Sequence, residues 1–248
     1  MQRFFRFVVL ASVVLSLLFV GCKSSSSVTN NAANNSFVGT WQGVWKFSSL
    51  TSSGLITFSV NSDGTTTGTV ENFSGNTTST ISGNLSSSGA FTGTMLSGQT
   101  TTSLSMTLLY GTNGLINGNI SQIISNQTYS GTFVAHATVS SSNKYAGSWT
   151  GTWNNITEST SGNAAISITS SGLLIGTLLT ASSLPFGILS EATVDSFGNF
   201  SGKLQLTAGN YIAISGNLGT ISGNQTISSV AFTNNSVDEP GTFNLQHQ

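Results

Sequence analysis

The feature that most constrains this chain is a duplication. Gly39-Thr40-Trp41-Gln42-Gly43-Val44-Trp45 returns 108 residues later as Gly147-Ser148-Trp149-Thr150-Gly151-Thr152-Trp153, and the two segments hold all four tryptophans. The correspondence continues in order at nearly the same offset. Gly89-Ala90-Phe91-Thr92-Gly93 matches Gly198-Asn199-Phe200-Ser201-Gly202, and Gly131-Thr132-Phe133 matches Gly241-Thr242-Phe243. A fold for this sequence must therefore be built twice. The two units are residues 37–138 and 144–248, joined by Ser140-Ser141-Ser142-Asn143, and each is long enough for its own core.

Each unit divides into eight short runs of alternating apolar and polar residues, separated by Gly, Ser and Asn, which is the pattern of half-buried strands. In the first unit the apolar faces are Trp41/Trp45, Ile56/Val60, Thr66/Val70, Ile81/Leu85, Phe91/Met95, Leu104/Leu108, Ile116/Ile120 and Tyr129/Phe133. The 44 Ser, 34 Thr, 23 Asn and 28 Gly disfavour helix, whereas Thr and the aromatics suit strands. A hydrophobic content of 38% with a net charge of −1 excludes a disordered composition. The expected fold is all-β: two tandem eight-stranded antiparallel up-and-down barrels, closed so that no strand edge is left exposed. A β-sandwich or irregular solenoid repeat fits the same short strands. A membrane-spanning barrel does not, because its outward face would be apolar with aromatic girdles, and here that face is Ser, Thr and Asn.

Residues 1–22, MQRFFRFVVLASVVLSLLFVGC, carry two arginines, an apolar run over 7–20 and a closing Gly21-Cys22. The run is short for a membrane-spanning helix, which needs about 20 residues, and the layout is that of an export signal. With Cys22 as the only cysteine, the segment resembles the bacterial lipoprotein signal, although Phe19 stands where that pattern usually has Leu, Val or Ile. The resemblance implies cleavage before Cys22 and attachment of diacylglycerol and a fatty acid such as palmitate to it. The polar tract 23–36 then reads as a flexible tether. Lys23 after the cysteine favours the outer membrane. The expected address is the cell envelope, with the membrane as a partner through the lipid. An ordinary signal peptide is the alternative. The mature chain carries 4 Lys against 7 Asp plus Glu, and both arginines precede Cys22, which argues against a nucleic-acid partner.

The opening of each unit resembles the calycins, the lipocalin and avidin-like small barrels. The likeness rests on Gly39-Thr40-Trp41 and on the run Ser62-Asp63-Gly64-Thr65-Thr66-Thr67-Gly68-Thr69-Val70-Glu71, a hairpin leading into a second strand. Avidins enclose biotin with later tryptophans, and none follows Trp153, so biotin is not carried over. The resemblance implies a barrel whose interior holds a small hydrophobic ligand.

The chain is poor in catalytic chemistry. His136, expected beyond the last strand of the first unit, and His247, one residue from the C-terminus, have no carboxylate pair or cysteine beside them in sequence, and the recurrent hydrolase, phosphate-loop and zinc motifs are missing. Asp63 belongs to a turn that favours Asp-Gly for its backbone geometry, and Glu191 and Asp238-Glu239 read as surface charges. No enzyme, metal or cofactor is expected. The one pointer to function is a central layer of Gly43, Phe58, Gly68, Gly83, Gly93, Met106, Gly118 and Gly131. Its counterpart in the second unit is Gly151, Ile166, Gly176, Ala192, Gly202, Ile214, Gly223 and Gly241. Either the glycines let the strands coil while Phe58 and Met106 fill the space, or they leave a pocket. Such a pocket would be walled by Trp41, Trp45, Phe58, Phe91 and Met106, with Tyr129 offering a hydroxyl, and by Trp149 and Trp153 in the second unit. The function readings are a lipid-anchored binding module and a structural or adhesive surface protein.

Overall fold

The computed structural model describes residues 35–48, 50, 52–138, 143–207, 209–219, 225–234 and 237–248. The export signal 1–22, nearly all of the tether and residues 140–142 of the joining segment lie outside them. The first barrel is β1 (Gly39–Phe47), β2 (Ser53–Val60), β3 (Thr65–Asn72), β4 (Thr77–Leu85), β5 (Ala90–Ser97), β6 (Thr100–Tyr110), β7 (Leu115–Ile124) and β8 (Gln127–Ala137). The second is β9 (Gly147–Asn155), β10 (Thr160–Ile168), β11 (Leu173–Thr180), β12 (Pro185–Val194), β13 (Asn199–Leu206), β14 (Tyr211–Asn217), β15 (Gln225–Asn234) and β16 (Val237–His247). Within each barrel every strand pairs antiparallel with its neighbours in sequence, β8 closes on β1 and β16 closes on β9. The fold is two tandem eight-stranded up-and-down barrels, and the sandwich and solenoid alternatives fall away. One strand is displaced from its expected place: the seventh run of the second unit, read as centred on Gly223, is β15, and Gly223 lies outside the described residues.

Alternation sorts the side chains. All sixteen residues assigned to the inward face of the first barrel point inward; Trp45, Ile56, Phe91, Leu108 and Ile116 are fully buried, while Met95 and Tyr129 are partly covered. The central glycines are spaces for rings. Gly83 faces Gly93 across the β4–β5 ladder. A Cβ at Gly93 would stand 2.6 Å from Phe91 Cζ, and one at Gly83 would stand 2.8 Å from it, so the Phe91 ring lies over both. Phe133 covers Gly118 in the same way and meets Phe58 edge to face at 6.4 Å. Phe91 and Phe133 thus occupy the space that the central glycines leave.

One end of each barrel is capped by a short turn before its first strand. Asn35 Nδ2 donates to Leu85 O at 2.8 Å, and its Oδ1 accepts from the Phe37 amide. Asn143 repeats this with Val194 O at 2.7 Å and the Tyr145 amide. Phe37 and Tyr145 plug the barrel beneath these turns. Asn35 and Asn143, assigned in sequence to the tether and the joining segment, are thus buried parts of the barrels. At the same end Gly64 and Gly172, each with φ +85°, hold their carbonyls toward the amides of Leu85 and Val194. An L side chain rarely adopts that φ, which accounts for glycine at both turns.

The barrels dock through faces that alternation marks as outward. Val44, Leu55, Phe73 and Ala213 form a buried cluster between them, flanked by Val134 and Tyr211. Gln42 Nε2 donates to Glu191 O at 2.8 Å, and the Thr193 hydroxyl donates to Gln42 Oε1 at 2.6 Å. Glu191 has φ +51° at a bulge in β12, so the residue expected to be a plain surface charge turns its carbonyl into the junction.

Candidate functional site

The cavity with the strongest claim opens at the uncapped end of the first barrel. It measures about 240 Å³. Its floor and walls are apolar: Trp45 from β1, Val70 from β3, Met95 from β5, Leu104 from β6 and Ile120 from β7. Above them Ser79, Thr102 and Gln122 add hydroxyls and one amide, and Asn72 and Thr77 stand at the mouth. Gln122 Nε2 donates to Thr102 Oγ1 at 2.9 Å, and that hydroxyl donates on to Met95 O at 3.3 Å. No residue lining the cavity carries a charge.

The space therefore lies at the mouth and not in the central layer. Of the residues proposed to wall a pocket, Trp45 lines this cavity, whereas Trp41, Phe58, Phe91 and Met106 lie in the packed core. The Tyr129 hydroxyl points to Gln127 Oε1 at 3.0 Å near the exposed rim. Trp149 and Trp153 belong to the core of the second barrel.

All four indole N–H groups are bonded to main-chain carbonyls: Trp41 to Phe37 O, Trp149 to Tyr145 O, Trp45 to Glu71 O and Trp153 to Leu179 O, at 2.8 to 3.0 Å. Trp45 and Trp153 staple their strands to β3 and β11, whereas Trp41 and Trp149 tie theirs to the turns that precede them. At the end of the second barrel that corresponds to the cavity, Phe186 lies against Trp153 with ring centroids 4.4 Å apart.

The second notable group is His136, Ser201 and Asp195 at the junction of the barrels. Contrary to its expected place beyond the last strand, His136 is within β8 and buried. Nδ1 donates to Ala137 O at 2.9 Å, which leaves Nε2 to accept from the Ser201 hydroxyl at 3.0 Å. Burial holds its pKa below the ordinary value, opposed by the Ala137 carbonyl and by Asp195. A Ser–His–Asp triad needs the carboxylate to orient the imidazole. Here Asp195 instead accepts from the Phe197 and Asn199 amides and from Asn199 Nδ2 at 2.8 to 2.9 Å. With Ser201 only 1% exposed, the group is an interlocking contact.

The remaining candidates are structural. Asp63 closes its turn on the Thr65 amide at 2.8 Å, and that bond lowers its pKa. Asp238 pairs with Lys46 of the other barrel, and Glu239 accepts from Asn155 at 2.9 Å. His247 lies edge-on to Trp149 at 4.8 Å. Among the described residues no three His, Cys, Asp or Glu side chains converge as a metal site. Sequence reading missed the cavity's polar ring because Ser79, Thr102 and Gln122 sit on inward positions as ordinary small polar residues. It missed the two asparagine caps although Asn35-x-Phe37 and Asn143-x-Tyr145 lie 108 residues apart, inside the duplication.

The fold and cavity define a class: a paired up-and-down β-barrel protein with a cavity at one end of its first barrel. No family model matches the chain, and no curated protein resembles it in sequence. Among solved structures it is similar to the isotype 1 transferrin binding protein B of Neisseria meningitidis, at 14% identity and TM-score 0.33, over 79% of this chain and 66% of that one. A transferrin binding protein B mutant from Haemophilus parasuis gives 11% and 0.30, over 84% and 75% of the two chains. A DUF3598-family protein of unknown function from Nostoc punctiforme gives 10% and 0.27, over 88% and 98%.

Proposed function

We propose that this protein is a lipid-anchored component of the bacterial cell envelope, on the outer membrane, whose first barrel holds a small hydrophobic molecule at its open end. It acts as a binding module without catalysis. The observation that carries the reading is the uncharged cavity of about 240 Å³ above Trp45, in a barrel otherwise filled. Eight-stranded barrels are just wide enough to hold one small ligand. The anchor rests on Gly21-Cys22 after an apolar run, and the capped end of the barrel leaves one mouth for entry.

Two measurements test this. Metabolic labelling with a radioactive fatty acid marks the wild type and not Cys22→Ser; label surviving in the variant removes the anchor. Titration calorimetry of benzyl alcohol into the full acylated chain in lipid nanodiscs, with empty nanodiscs subtracted, gives saturable binding that Ser79→Phe abolishes. Absence of saturable heat in the wild type leaves the structural or adhesive reading.

A further inference from the structure

We infer that the cavity selects an uncharged molecule with an apolar body and a single hydrogen-bonding head, held by Gln122. The inference rests on the first barrel being a binding module, and it names the ligand class.

The lining decides the charge. An ionised carboxylate or ammonium entering the cavity would shed its hydration and meet no counter-charge, and burial of an unpaired charge is strongly disfavoured. Glu71 and Lys46, which neighbour lining residues in sequence, point to the outer face of the barrel and are paired there with Lys203 and Asp238.

Gln122 decides the head group. It is 5% exposed, on an inward position of β7, and the structure gives its amide one protein hydrogen bond, from Nε2 to Thr102. A primary amide offers two donors and two acceptor sites, so its carbonyl and its second N–H remain to be met inside the cavity. Because the Thr102 proton is directed to Met95 O, the Gln122 N–H is pinned to the hydroxyl oxygen and the amide plane is held. A hydroxyl or carbonyl on the ligand would meet that amide while its body lies against Trp45, Leu104 and Ile120.

The test compares benzyl alcohol, benzoate and benzylammonium by calorimetry on the full chain in nanodiscs. Benzyl alcohol binds saturably, and both ions bind about tenfold more weakly or worse. Gln122→Leu weakens benzyl alcohol by about five- to tenfold. Gln122→Glu, close in shape and with folding checked by near-ultraviolet circular dichroism, brings benzylammonium binding up to or above that of benzyl alcohol. Equal affinity for benzoate and benzyl alcohol overturns the neutral class while leaving a pocket. Unchanged benzyl alcohol binding in Gln122→Leu overturns the head-group assignment. No binding of any probe overturns the binding module itself.

Discussion

The Lys203 ammonium of the second barrel and the Glu71 carboxylate of the first lie 2.6 Å apart across the junction of the barrels. Both side chains are largely covered, and the ammonium also sits 4.6 Å from the centre of the Tyr211 ring and 5.3 Å from that of Phe73. Glu191 is a second carboxylate at 3.5 Å. Burial raises the Glu71 pKa, Glu191 adds to the rise and Lys203 opposes it. Burial acts to lower the Lys203 pKa, but Glu71 and Glu191 outweigh it and hold the ammonium above its ordinary value. One cation thus serves two carboxylates and two rings.

Replacing Lys203 with Met should therefore leave two acids facing each other without a partner. A loss of about 1–3 kcal/mol is expected, between the values for exposed and buried pairs. Adding Glu71→Gln should recover part of it, since the two changes share one contact. Denaturant unfolding of the two single variants and the double variant reads this directly. Additive losses would mean that the pair is not coupled.

The asparagine caps should carry equal weight in both barrels. Asn35→Ala and Asn143→Ala each remove a buried donor and acceptor and leave the carbonyl of Leu85 or Val194 unmet. The expected cost is about 1–3 kcal/mol each, seen as a lowered unfolding midpoint. Amide hydrogen exchange should rise at the capped end of the affected barrel alone.

Acid should weaken the junction through His136. Its pKa in the folded chain lies below the ordinary 6.5 because burial disfavours the imidazolium. The stabilising contribution is complete above pH 6.5, where the ring is neutral in both states. It is lost as pH falls below that value, because the unfolded chain then takes the proton more readily. The charged groups facing the ring reduce to Asp195, which moderates the effect. Unfolding free energy measured from pH 8 to 5 should drop across that window, and His136→Gln should flatten the drop.

The filled centre predicts the outcome of enlarging its glycines. Gly93→Val would drive a branched side chain into the Phe91 ring and the β4 main chain, and overpacking of this kind costs about 1–3 kcal/mol. Tolerance of the change, with an unaltered thermal midpoint, would mean that the central layer has room.

Much of the fold was legible because strand alternation is a local property. Trp41, Trp45, Ile56 and Phe91 point inward simply by lying two residues apart along a pleat, and the 108-residue duplication required whatever was built once to be built again. The same local rule could not say which outward residues are covered. His136, Ser201, Val44 and Leu55 read as one more polar-face serine and three scattered residues, yet each is buried where one barrel presses on the other.

The sequence by itself determined the strand count, the inward face, the tryptophan pairs and the composition that leaves this chain with almost no charge to spend on chemistry. Only the tertiary structure decided where space remains. Whether a ring of glycines is a void or a seat for Phe91 and Phe133 depends on how far each ring reaches across the closed barrel. Whether the end of the first barrel holds a cavity depends on how far Trp45, Met95 and Leu104, brought together from three strands, reach across it. Both are questions of volume in three dimensions, set by side chains far apart in the chain, and no periodicity along the sequence records them.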